Sequence, residues 1–136
     1  MFSAPAVTIH GLDDALTALR PGLPVVLVSA PGAGLYGGCG WWGGVIGAAR
    51  AAFPGEWRDL LDCADAPGVA MAGLRAGCRG IVLDGACPAF SAVRGAAGLL
   101  GAIVLPHRPV CLDLAEPDGA WRLAGWLERD ITLRLR

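Results

Sequence analysis

Gly32-Ala33-Gly34-Leu35-Tyr36-Gly37 follows the apolar run Val25-Val26-Leu27-Val28 and has the spacing G-x-G-x-x-G. Glycines so placed after a strand let backbone N–H groups approach a phosphate at a helix N-terminus. Gly32, Gly34 and Gly37 are therefore candidate ligand-binding positions for a phosphate or other small anion. A nicotinamide or flavin dinucleotide is a narrower reading, and three features count against it. Glycine recurs at 38, 40, 43 and 44, so the match arises easily by chance. The helix is expected near Trp41, after the motif. The next acidic strand end, Asp62, lies beyond the usual spacing of about 20 residues. The cofactor therefore stays unknown.

Asp62-Cys63-Ala64-Asp65 is the second candidate. A thiol at a strand end beside a helix N-terminus can lose its proton and act as a nucleophile. The competing reading makes Cys63 a small buried apolar residue and Asp65 a helix cap. Two neighbouring carboxylates also oppose thiolate formation. His107-Arg108, held between Pro106 and Pro109, is the third. An imidazole and a guanidinium on a rigid loop could hold an anionic substrate or carry a proton; loop residues of this kind are more often plain solvated surface. Cys63, Asp62 and His107 are the candidate catalytic residues. Trp41-Trp42 is the fourth feature: one indole is expected under the sheet, the other at a subunit interface or pocket.

Metal chemistry is not expected. There are two histidines, His10 and His107, and five cysteines, at 39, 63, 78, 87 and 111, with no C-x-x-C pair. That pattern reads as reduced thiols in a cytoplasm rather than as a zinc site or a disulfide framework. The opening segment MFSAPAVTIHGLDD lacks the charged and apolar blocks of a signal peptide.

The elements that must position these residues alternate between strand and helix. Strands are expected at Val7–His10, 24–30, Trp57–Cys63, Arg79–Asp84, Ala102–Leu105 and Val110–Leu114. A helix opens at Asp13 or Asp14 and stops at Pro21-Gly22. The stretch from Pro31 to Gly40 is expected as a loop, followed by a helix from Trp41 to Phe53. Asp65-Ala66-Pro67 starts a helix with Val69, Ala72 and Ala76 inward and Gly77 as its stop. Pro88 starts another, with Phe90, Val93, Ala97 and Leu100 at helical spacing. The last runs through Trp121, Ala124 and Leu127. The tail Ile131–Arg136 alternates apolar and polar, the pattern of an edge strand that pairs with Val7–His10 or with another subunit.

Strand, helix, strand with short connections predicts one α/β domain over 1–136, three layers α/β/α, with four to five mostly parallel strands. The order of units resembles flavodoxin-like domains, in architecture only. A half-barrel of the same units is the alternative. In such sheets ligands bind beyond the carboxyl ends of the strands. Those ends carry Ser29, Asp62, Cys63, Asp65, Asp84, His107 and Arg108, which makes Ser29, Asp65, Asp84 and Arg108 further candidate ligand-binding residues.

Composition narrows the partners. Apolar residues make up 54% and charged residues 17%, against about 45–50% and about 25% in typical domains. The surplus predicts a homo-oligomer. Net charge is −1 and no basic stripe with aromatics appears, so nucleic acid is not expected. No charged side chain lies between Arg20 and Arg50, which is long enough for a membrane span. Pro24, Pro31 and the glycines from Gly32 to Gly47 make a span unfavourable there, because the backbone groups they free would have no partners in lipid. The expected function is binding of a small anionic metabolite or phosphate group at the strand ends. The alternatives are a small enzyme using Cys63 or His107 with an Asp, and a structural assembly subunit.

Overall fold

The computed structural model describes residues 4–134, with side-chain surroundings through Glu128. Twelve elements follow one another: β1 (Ala6–Ile9), α1 (Leu12–Leu19), β2 (Val26–Ser29), α2 (Ala33–Tyr36), α3 (Gly38–Ala52), β3 (Arg58–Asp62), α4 (Pro67–Arg75), β4 (Gly80–Val82), α5 (Phe90–Leu99), β5 (Ile103–Leu105), β6 (Cys111–Asp113) and α6 (Gly119–Arg134). All strand pairs are parallel, in the order β5-β4-β3-β2-β1-β6. The expected α/β fold, a parallel sheet with flanking helices, is what the chain adopts, with six strands and with the buried helix side chains gathered on one side of the sheet rather than in two outer layers. No helix of the described residues is long and apolar enough to cross a membrane.

The two sides of the sheet are buried in different ways. Val7, Ile9, Leu27, Leu61, Ile81, Val104 and Leu112 join the large core together with Ala15, Trp42, Leu74, Phe90 and Leu127 from the helices. The opposite side chains, Ala6, Val26, Val28, Leu60 and Val82, form a second cluster against Ala4, Leu105 and Cys111, with no buried apolar side chain from a helix. They are nevertheless all 4% exposed or less. The β5–β6 link explains why. In a flat sheet, five strand spacings would separate the two edges by about 24 Å. The link of residues 106–110 reaches only about 20 Å, and it must also return to the starting end of a parallel strand. The sheet therefore curves, and the link crosses its helix-free side as a strap.

Four expectations change. The stretch 31–40 is not an open loop: α2 occupies its middle, and α3 begins at Gly38 rather than Trp41. Glycine disfavours helix by about 1 kcal/mol per residue. Here the burial of Ala33 and Gly34 overrides that cost, and Gly32 and Gly38 supply the left-handed turns, at φ +69° and +82°. Asp65 does not cap α4, whose preceding residue Ala66 makes no side-chain cap bond; Pro67 opens the helix as expected. On α4, Val69 packs against the core as expected and Ala72 is half-buried, but the fully buried residues are Ala70, Gly73 and Leu74, and Ala76 is exposed. Residues 131–134 continue α6 instead of forming a strand, and β1 pairs with β2 and β6. A short alternating run carries less weight than extension of a helix already nucleated. Residues 135–136 of that tail lie outside the described residues.

On α6, Leu123 and Leu127 face the core, while Trp121 is 86% exposed and Ala124 also faces solvent. Of the tryptophan pair, Trp42 is the buried member at 1%, and Trp41 lies at the surface at 37%.

Candidate functional site

Arg108 organises the downstream ends of the strands. It stands at the centre of the strap, and its guanidinium crosses the ends of three strands. One terminal nitrogen donates to Asp62 Oδ2 at 2.7 Å and to the Ser29 carbonyl at 2.9 Å. The other donates to Thr8 Oγ1 at 3.0 Å. Thr8 and the Asp62 side chain point to the helix-free side and are nearly excluded from water, at 2% and 5% exposure. A buried carboxylate is stable only when paired and hydrogen-bonded. Asp62 meets both conditions, since Oδ1 also accepts the Ala64 N–H at 2.8 Å.

That second bond bends the backbone. Ala64 has φ +51° and is the one non-glycine residue with positive φ among the described residues. A left-handed alanine costs roughly 1–2 kcal/mol, and such strain persists only where the surroundings over-determine it. Its carbonyl accepts the Asp84 N–H at 2.8 Å, which links the ends of β3 and β4. Asp84 in turn folds its own turn by accepting the Ala86 N–H at 2.9 Å.

These groups line a shallow cavity of about 450 Å³ that is open to solvent, formed by Asp62, Ala64, Asp65, Val82, Asp84, Pro106, His107 and Arg108. Five residues expected at the rim, Asp62, Asp65, Asp84, His107 and Arg108, thus share one cavity. Asp65 and Asp84 are exposed to it. His107 is exposed too, and its Nδ1 lies 3.3 Å from the Arg108 carbonyl. A larger cavity, about 620 Å³, lies at the opposite ends of β2 and β3 among Leu19, Leu23, Pro24, Phe53, Pro54 and Trp57. Its only charged side chains are Glu56 and Arg58, so volume favours that end and convergent polar chemistry favours the rim. Specific small-molecule sites need the polar groups.

The other expected residues serve the fold. Ser29 is fully buried; its hydroxyl accepts the Asp62 N–H at 2.9 Å and donates to the Ala30 carbonyl. Cys63 is fully buried in the helix-covered core, on the side opposite Asp62. Burial first, then the neighbouring Cys78, Asp62 and Cys39, pushes its thiol up to about 12. Such a thiol stays protonated at neutral pH, so a Cys63 thiolate is not in place to act as a nucleophile. All five cysteines are free.

Of the glycines of the G-x-G-x-x-G match, Gly34 and Gly37 are packing positions, while Gly32 has open space around it and supplies a left-handed turn. The N–H groups of Ala33, Leu35 and Gly37 donate to the carbonyls of Ala30, Gly32 and Ala33, so they are not turned outward to a phosphate. A methyl group at Gly34 would lie 2.9 Å from the Asp62 carbonyl and 3.1 Å from Cys63 Sγ. One at Gly37 would meet the Trp41 ring at 2.7 Å. Gly34→Ala is therefore expected to cost about 2 kcal/mol through overpacking against backbone. The midpoint of urea unfolding measures it, and an unchanged midpoint would contradict the close approach.

Three rim residues were not among the expected ones. Thr8 is the strand-end hydroxyl on Arg108. His10 Nε2 lies 2.7 Å from Asp113 Oδ1, joining the loop after β1 to the end of β6. Burial raises the Asp113 carboxyl, but the Ala115 N–H, the bond and charge of His10, and the charge of Arg108 outweigh it, so it stays below the ordinary carboxylate range. The signal was present in the sequence, since both residues stand at downstream strand ends. It went unread because β1 and β6 were not known to be neighbours.

Among the described residues, no group of three or more His, Cys, Asp or Glu side chains is placed to hold a metal ion. Comparison with known proteins finds no family model that matches the chain and no curated protein similar to it.

Proposed function

We propose that the protein is a binding module for a small polar metabolite held in the rim cavity, with an anionic group toward His107 and Arg108 and a hydrogen-bond-donating or cationic group toward Asp65 and Asp84. The observation that carries this is the lining of the cavity, where one guanidinium and one imidazole face two exposed carboxylates in about 450 Å³. A bare phosphate suits it less well. Arg108 already donates to Asp62, Ser29 and Thr8, and Asp65 and Asp84 would repel an anion with no compensating positive end. A mixed-charge ligand turns that repulsion into recognition. The enzyme alternative through Cys63 loses its support with the buried, protonated thiol.

A ligand that binds only the folded state raises the melting temperature. A thermal-shift series with inorganic phosphate, acetate and a panel of amino acids and amino alcohols is expected to respond to mixed-charge members above phosphate or acetate. Replacing Asp65 and Asp84 together by Asn should abolish the response. Either no response to any probe, or a response that survives in the double variant, would overturn the proposal.

A further inference from the structure

The polar row on the rim does not end at Arg108. Thr8, which holds Arg108, is the register partner of Asp113 across β1 and β6, and Asp113 holds His10. Asp113 Oδ1 takes two donors, the His10 ring at 2.7 Å and the Ala115 N–H at 2.9 Å. Both side chains of the pair are about one-third exposed, at 39% and 35%, so the imidazole can be reached from solvent. The His10 backbone is fixed separately, its N–H donating to Asp14 Oδ2 at 2.9 Å.

We propose that His10 and Asp113 form an acid–base dyad, with Nδ1 of His10 as the proton-accepting atom, that activates water toward small acyl compounds such as esters. An ionised carboxylate can only accept. The Nε2 facing Asp113 therefore carries the hydrogen, and Nδ1 is left with its lone pair. In the reaction, a water oxygen bonds to the carbonyl carbon while Nδ1 takes one of its protons. The tetrahedral intermediate collapses, the bond to the leaving group breaks, and the imidazolium returns that proton to the leaving group. Asp113 keeps the ring oriented and offsets its transient positive charge. The charged group on the imidazole is Asp113 from β6, on which the charge of Arg108 from the strap also acts, while Asp14 from α1 holds the His10 backbone. His10 is not part of the rim-cavity lining, so this inference stands or falls apart from the binding reading.

Two measurements on the whole protein test it. With p-nitrophenyl acetate as probe, His10→Ala is expected to lose about nine-tenths or more of the wild-type hydrolysis rate, and Asp113→Asn to lose a comparable share, general-base contributions being roughly 100-fold or more. Nitrogen-15 NMR of the histidine rings is expected to show His10 as the Nε2–H tautomer, with the Nδ1–H form gaining population in Asp113→Asn. Circular dichroism confirms that both variants fold. A pair that only ties two strand ends together predicts wild-type hydrolysis in His10→Ala; that result, or a tautomer ratio unmoved by Asp113→Asn, overturns the dyad.

Discussion

Trp42→Ala is expected to leave little folded protein at 37 °C. The indole is 1% exposed and spans the contact between α3 and the sheet. Removing a buried tryptophan costs about 3–5 kcal/mol in lost burial and cavity. A second cost follows from its polar edge. Nε1 donates to Asp59 Oδ2 at 3.2 Å, and Asp59 is a carboxylate only 5% exposed. Losing a donor to a buried charge adds about 1.5–3 kcal/mol. Together these are comparable with the whole stability of a small domain, about 5–15 kcal/mol.

The remaining partner of Asp59 would be Arg50, which donates to Oδ1 at 3.0 Å and lies 4.0 Å above the Trp57 ring. Trp42→Phe separates the two costs. It keeps most of the apolar volume and removes only the donor, so a loss of about 2 kcal/mol is expected. Urea unfolding of the Phe variant, followed by circular dichroism, gives that number. A Phe variant as stable as wild type would mean that Arg50 alone satisfies Asp59.

The two tryptophans show what a single chain can disclose. Adjacent side chains on a helix point in different directions, so one of the pair had to leave the core, and Trp41 does. The same local logic placed strands and helices, because periodicity and Pro/Gly stops act within about ten residues. It failed where a long-range contact decides. Gly34 is helical because it packs on Asp62 and Cys63, roughly thirty positions away. Asp65 is left out of the α4 cap because the backbone at Ala64 turns left-handed to let Asp62 accept its N–H.

The rim candidates Asp62, Asp65, Asp84, His107 and Arg108 were legible because parallel strands gather their downstream ends on one side whatever their order. His10 and Asp113 depended on the order itself. Their partnership exists only because the chain, after β5, crosses the whole sheet to place β6 beside β1. Nothing in a five-residue stretch of Pro, His, Arg, Pro and Val announces that crossing.

Arg108→Ala tests whether that strap is held as the geometry implies. The substitution leaves Asp62 buried with only the Ala64 N–H, and leaves the Thr8 hydroxyl and Ser29 carbonyl without their shared donor. Removing one partner of a buried pair costs about 3–5 kcal/mol. Arg108 is 24% exposed, so water takes over part of its role and about 3 kcal/mol is expected. Arg108→Lys keeps the charge but not the fork that reaches three acceptors, and about 1–2 kcal/mol is the expected loss. The double variant Arg108→Met with Asp62→Leu should recover part of the alanine loss, because no charge is then left buried. The loss should also be local. β6 pairs with β1 over three residues, Cys111 to Asp113, and the strap leads directly into it. Hydrogen exchange in Arg108→Ala is therefore expected to rise first in residues 106–113, with α3 and β2 still protected. If unfolding stayed at the wild-type urea concentration, or if exchange rose evenly over the chain, the guanidinium would not be the tie that closes the helix-free side of the sheet.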